Sequence, residues 1–329
     1  MPGRGLYLRL DRPSASPLTL PFRHGGEEPP GRCQRSYDPS RLTYEASRLG
    51  AAARAATLGD VHLDSASSRS LDARLAVAQV EPSAEPLMAW QRLREAEGRR
   101  TTIIDLYELV SRRRGLAGHQ LPQAERVELA RSVMAIIWPG FVRTEGSERQ
   151  DLSVEVVAYD RSWPGRYERW RDLLDGQLTD TALRMEHVGS TAVPGPPAKP
   201  TIDIQISVAD LDDESWYVAQ IEQAGVQLRS RDALHRFFRP FAGQPRDVHV
   251  HVCQAGSDWE REHLLFRDYL RSHAGARDAY ARVKWEAAQV WSDDRIAYTE
   301  AKTGVILDLL GAAETWARTN SWAVTQLRR

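Results

Sequence analysis

The segment from residue 183 to 208 carries side chains whose types and spacing suit a phosphate-handling site. Leu183 to Val188 alternate apolar and polar as a half-buried strand does, and Gly189 and Ser190 then break the pattern. A turn opening with Gly and Ser can aim bare N–H groups and a hydroxyl at an anion, and the rigid Pro194, Pro196, Pro197 and Pro200 keep the next loop from collapsing. Gly189, Ser190 and Thr191 are therefore the candidate phosphate-binding turn. Asp203 follows on an apolar strand, and a carboxylate beside an anion cradle is what a magnesium-bridged phosphate requires. Magnesium or manganese is the expected cofactor, and a nucleotide or related small phosphate the expected ligand.

Further along, Asp247, His249 and His251 alternate with Val248, Val250 and Val252, which puts three metal-competent side chains on one strand face. If that strand lies beside the one bearing Asp203, His249 or His251 joins Asp203 as a metal ligand. Imidazole would then move the preference from magnesium toward manganese, zinc or another transition metal. The alternative is that both histidines line a polar cleft and donate hydrogen bonds to an anion.

Of 44 basic residues, only Lys199, Lys284 and Lys302 are lysine. An ammonium is a compact partner for phosphate, whereas guanidinium is a fork. Lys199 leads into the Asp203 strand, and with Asp203 and Ser190 it makes up the candidate catalytic set. Ser190 acts there as a cradle and not as a covalent nucleophile, because His187 is more naturally a packing residue than a general base. Lys284 and Lys302 fall in helix-like segments, where a solvated charge is the simpler expectation. His235, Arg236 and Arg239 surround Phe237 and Phe238, a mixture that can hold a phosphate and stack a base, with Arg236 and Arg239 as the phosphate contacts.

The run Glu186-His-Val-Gly-Ser-Thr-Ala-Val-Pro-Gly195, followed by Ala198-Lys-Pro-Thr-Ile-Asp-Ile-Gln-Ile-Ser-Val208, resembles the signature of the GrpB family. The resemblance continues at 156–164, 235–239, 246–252, 255–257 and 263–270, and covers roughly residues 154 to 316. It implies an α/β (α+β) fold of the nucleotidyltransferase-like kind, a mixed sheet flanked by helices, sometimes fused to dephospho-CoA kinase and without a settled reaction. It also favours Lys199 and Lys302 near the cleft. Proteins of that superfamily place two carboxylates as Asp-x-Asp or Asp-x-Glu after the turn and a third acid on a later strand. Here the pair reads Asp203 and Gln205, and an amide cannot offset a metal's charge, so a two-metal clamp is short of ligands. Three functions follow: a metal-dependent nucleotidyl- or phosphoryl-transferase, a catalytically degenerate nucleotide- or CoA-binding module, or a chaperone-like partner domain.

The elements that must position these residues are legible to different degrees. A first strand is expected at 152–158, and three helices at 259–272, 277–290 and 296–310, where apolar residues return every three or four positions. Asp258 is the expected cap of the first of these and Asp293 or Asp294 of the third. Residues 102–110 and 125–137 read as a helical hairpin whose apolar face docks on the main domain or binds a protein partner, and 143–150 as a linker. Before it, residues 1–100 form a leader rich in Arg, Pro, Ser and Ala, largely unstructured over 1–85. That leader is either a linker or tail, or the true start lies downstream, for example at Met88 or at a non-ATG codon, and the leader is translated only in the gene model. The domain expected from the resemblance spans 151–318, with a tail at 319–329.

Composition excludes other classes. A net charge of −1 gives no global field for nucleic acid or a membrane surface, and no run approaches the ~20 apolar residues of a membrane-spanning helix. Cys33 and Cys253 lack metal-type spacing, no secretion signal opens the chain, and a Walker-type lysine loop is absent, so a cytoplasmic protein outside the P-loop class is expected.

Overall fold

The computed structural model divides the chain into Met1–Thr57 and Leu58–Arg329. It describes residues 70–324 apart from 82, 145–152 and 179–180, all within the second unit. Its centre is a six-stranded mixed sheet in the order β1-β4-β5-β6-β3-β2. The strands are β1 (Val142–Arg143), β2 (Arg184–Val188), β3 (Ile202–Val208), β4 (Val226–Arg231), β5 (His235–Pro240) and β6 (Val248–Gln254). Neighbours β3 and β6 run parallel, and every other pair is antiparallel.

Period-two alternation gives the sheet two different faces. Ile202, Ile204, Ile206, Val248, Val250, Val252 and Phe238 pack in one core with Trp163 and Leu174 of α5 (Trp163–Leu178) and Ile221 of α6 (Val218–Gln223). Asp203, Gln205, His249 and His251 therefore face the other side. Four helices follow β6: α7 (Asp258–Ser272), α8 (Ala274–Val290), α9 (Arg295–Glu300) and α10 (Thr303–Thr319). Leu265, Tyr269, Tyr280, Leu309 and Ala313 form a second core there with Val193 from the loop after β2.

Several expectations need correction. Residues 71–100 are not an unstructured leader: α1 (Leu71–Val77), α2 (Pro86–Glu97) and a short 3-10 turn occupy them. Ser70 caps α1 by accepting from Ala73 N–H, and Leu71, Leu75, Ala89 and Leu93 share a small core. Arg74 pairs with Glu97 and Asp105, each at 2.7 Å, and Trp90 is fully buried, its indole N–H donating to the Thr102 carbonyl at 2.6 Å. Met88 lies within α2, whose cap is Glu85. Helices of 7 and 12 residues are too short for their apolar periodicity to stand out in a sequence scan. Residues before 70, and most of the expected linker, lie outside the described residues.

The hairpin forms as α3 (Ile103–Arg112) and α4 (Gln123–Ile137), but its apolar face is used internally. Ile103, Leu106, Tyr107, Ala130 and Val133 are buried with Trp90, Trp291, Ala297 and Tyr298, the docked alternative of the two expected for this face. The expected first strand reduces to one bridge, Val157 to Ala198, because Val154 is drawn toward the helices through its N–H bond to the Ser292 carbonyl at 2.7 Å. Ser257, not Asp258, caps α7, accepting from Glu260 N–H, while Asp294 does start α9. The third predicted helix breaks at Ala301–Lys302 into α9 and α10. Among the described residues no helix is long and apolar enough to cross a membrane.

Candidate metal and phosphate site

The parallel pairing of β3 with β6 sets Asp203 opposite His249 and Gln205 opposite His251. His249 Nδ1 lies 3.2 Å from Asp203 Oδ1 and His251 Nε2 3.7 Å from the same oxygen. One ligand atom from each of the three lies within 4.8 Å of the other two. Their side chains keep 18–27% of their surface exposed, so a small ion or anion can reach them. Burial alone would raise the Asp203 carboxyl, but the hydrogen bonds and charge of His249 and His251 outweigh it and hold it well below the carboxylate range. Burial lowers His249. A metal ligand set needs an ionised carboxylate and imidazole nitrogens free of protons; the histidines keep Asp203 ionised, burial disfavours the charged form of His249, and two nitrogens with one oxygen suit manganese, zinc or iron better than magnesium.

The turn above the carboxylate depends on glycine. Gly189 has φ 69° and ψ −169°, a region open essentially to glycine alone, and a Cβ there would sit 2.2 Å from Asp203 Oδ2. Ser190 hydrogen-bonds Tyr280 of α8, which itself feels the Asp203 charge. Thr191, by contrast, is not available to a ligand: it is buried, its hydroxyl lies 3.0 Å from His187 Nε2 and donates to the Thr201 carbonyl at 3.2 Å. It closes the turn, and His187, stacked on Tyr167, supports it from the far face of β2.

All three lysines of the chain converge on Asp203. Lys199 and Lys302 lie over the Tyr298 ring, at 5.1 and 4.0 Å from its centroid, and Lys284 lies 4.9 Å from the Tyr280 centroid. The helix break at 301–302 is what turns Lys302 inward. Burial lowers all three, Lys302 well below the ordinary lysine range and Lys284 to about 8, while the Asp203 charge acts in the opposite sense on each. Lys284 is 1% exposed and its Nζ has no hydrogen-bond partner in the structure. Sequence reasoning set it aside as a solvated charge. The only signal for it was the scarcity of lysine in an arginine-rich chain.

Arg236 does not join the site. The β5 pattern sends it to the opposite face from Phe237, where it pairs with Glu214 at 2.6 Å and Asp212 at 2.7 Å. Arg239 stays on the Phe237 side; burial and the neighbouring Arg246, Arg229 and Arg295 lower it to about 10. The site's aromatic rings are already engaged: Trp259 stacks with His263 (3.7 Å) and with His235 (5.2 Å), and Phe237 packs on His249 and His251. Gln205 is fully buried, and neither of its amide atoms has a partner. A separate cleft of about 650 Å³ opens at the β2 edge between Tyr167, His187, Arg267 and Arg271. It holds none of the ligand set, and the buried orphan ammonium makes the Asp203 group the stronger candidate.

A mixed sheet, helical cover and Gly-Ser turn over a carboxylate–histidine group define a class, and comparison with known proteins gives the family. This chain belongs to the GrpB family: the family model described as GrpB protein matches residues 153–311. It is similar to a UPF0157 protein of Halalkalibacterium halodurans, 38% identical over 163 residues, which cover 50% of this chain and 84% of that protein. It also resembles a dephospho-CoA kinase of Mycobacterium leprae, 30% identical over 196 residues, covering 51% of this chain and 48% of that one. A crystal structure of conserved protein GrpB from Enterococcus faecalis aligns over 49% of this chain and 99% of its own, at 27% identity and a TM-score of 0.44. Helices α1 to α4 precede the matched residues.

Proposed function

We propose that this chain is a metal-dependent phosphoryl- or nucleotidyl-transferase acting on a nucleotide or related small phosphate ligand. The observation that carries the reading is the convergence of Asp203, His249 and His251 with three lysines beneath a glycine turn that admits no side chain. Asp203 and the two histidines would hold one divalent ion, manganese more readily than magnesium, and that ion would withdraw electron density from phosphate oxygens. Gly189 and Ser190 would cradle the phosphate, and Lys199, Lys284 and Lys302 would offset its charge. In the transfer an acceptor oxygen attacks phosphorus, the bridging P–O bond breaks with its electron pair leaving on the departing phosphate, and the acceptor's proton passes to solvent. The similarity to a dephospho-CoA kinase of Mycobacterium leprae, over 48% of that protein, supports a nucleotide-related ligand.

One observation favours binding without transfer: Gln205 stands where a second carboxylate would complete a two-metal clamp, and its amide is neutral and buried. Calorimetric titration of the full chain with ATP and dephospho-CoA, each with manganese, magnesium or no metal, beside Asp203→Asn, tests the site. Metal-dependent binding lost in the variant is expected, and product analysis then separates transfer from binding. Binding unchanged by Asp203→Asn would remove the proposal.

A further inference from the structure

We infer that the site recognises its ligand as a condensed phosphate chain, through the three lysines, and does not read a nucleobase. The inference deepens the metal and phosphate reading above and rests on it. Its independent support is Lys284, an ammonium almost fully buried in α8, with an orphaned Nζ and its charge coupled to Asp203 and Lys199. Burying an unpaired ammonium costs several kcal/mol in an apolar setting, so a fold keeps one where a ligand supplies the missing acceptors. Lys199 and Lys302 share the Tyr298 ring, Lys284 lies on Tyr280, and all three feel the charge of the one Asp203 carboxylate.

Charge arithmetic sets the ligand class. With a ligand holding all three lysines protonated, they and the Asp203 carboxylate sum to +2, Glu300 beside Lys302 and Arg295 beside Lys199 cancel, and a divalent ion brings the total to +4, which matches a triphosphate and exceeds what one phosphate monoester can balance. The rings argue against base reading. Trp259 already stacks with His263 and His235, Phe237 is packed on both ligand histidines, and a lysine lies over each of Tyr280 and Tyr298. A base would have to displace one of these contacts to stack.

The test titrates inorganic triphosphate, ATP, UTP, AMP and orthophosphate into the full chain with manganese, with manganese alone as the reference. Expected are inorganic triphosphate, ATP and UTP binding within roughly threefold of one another, and AMP and orthophosphate at least roughly tenfold weaker, since they lose charge-assisted contacts to the lysines. Lys284→Met should weaken triphosphate at least tenfold while leaving manganese binding by the ligand set in place, and a thermal melt checks that it folds. ATP far tighter than inorganic triphosphate or UTP would overturn the base-blind reading. AMP or orthophosphate as tight as triphosphate, or unchanged triphosphate binding in Lys284→Met, would overturn the polyphosphate reading. Manganese bound without any phosphate ligand overturns this inference alone, whereas no manganese binding overturns the metal reading beneath it.

Discussion

Replacing Lys284 by Met should make the ligand-free protein more stable, and the size of the gain follows from the site. Burial lowers the ammonium from 10.5 to about 8, and at about 1.4 kcal/mol per tenfold change in acidity that is a cost of about 3 kcal/mol below pH 8. The Tyr280 ring, 4.9 Å away, returns about 1–2 kcal/mol. Methionine retains most of the aliphatic stem's packing, so about 1–2 kcal/mol of stabilisation should remain, or roughly 2–8 °C in melting temperature. The pH dependence fixes the sign. With the folded value below the unfolded one, the unfolded chain binds more protons between pH 8 and 10.5, and wild-type stability rises through that window. The advantage of Lys284→Met should therefore be full at pH 7 and fade toward pH 10.5. Thermal or urea unfolding of both proteins at pH 7, 8 and 10 measures it. A variant less stable than wild type at pH 7, or a gap that does not shrink above pH 8, would refute the buried-charge argument.

Gly189→Ala should cost about 1–3 kcal/mol in backbone strain and push the Asp203 carboxylate out of line, abolishing manganese binding. Gly195→Ala, at φ 105° with open space around it, should leave manganese binding intact in the same titration. Arg236→Gln should lose about 1–3 kcal/mol in a urea melt through its broken pairs with Glu214 and Asp212, yet bind triphosphate like wild type. Burial raises Glu300 from 4.5 to about 7, so the folded protein binds the extra proton and stability should fall by about 3 kcal/mol as pH rises from 4.5 to 7. Glu300→Gln should flatten that slope, which melts at pH 5 and 7 will read.

The turn and the ligand face were legible because they follow from local rules. Gly189 and Ser190 interrupt an alternating strand, and strict alternation from Val248 to Val252 puts His249 and His251 on one face whatever lies beside them. The sequence could not say that β3 pairs in parallel with β6, in the register that sets Asp203 against His249, because that contact spans 46 residues. Arg236 shows a local rule left unused: residues three apart on a strand point to opposite faces, so Arg236 and Arg239 could not both reach one ligand. Lys284 was hidden for a non-local reason, since a helix position becomes interior only once α8 packs against the Gly-Ser turn. Thr191 looked like a phosphate contact because nothing in the motif shows its hydroxyl already spent on His187 and Thr201.

The central claim is that Asp203, His249 and His251 hold one metal ion under a phosphate chain that the three lysines grip. A crystal grown with manganese and inorganic triphosphate, with anomalous differences collected at the manganese edge, tests it most directly. The account predicts one peak at coordination distance from all three side chains and phosphate density reaching Lys284 Nζ. A peak elsewhere, or density for triphosphate away from the lysines, would contradict it.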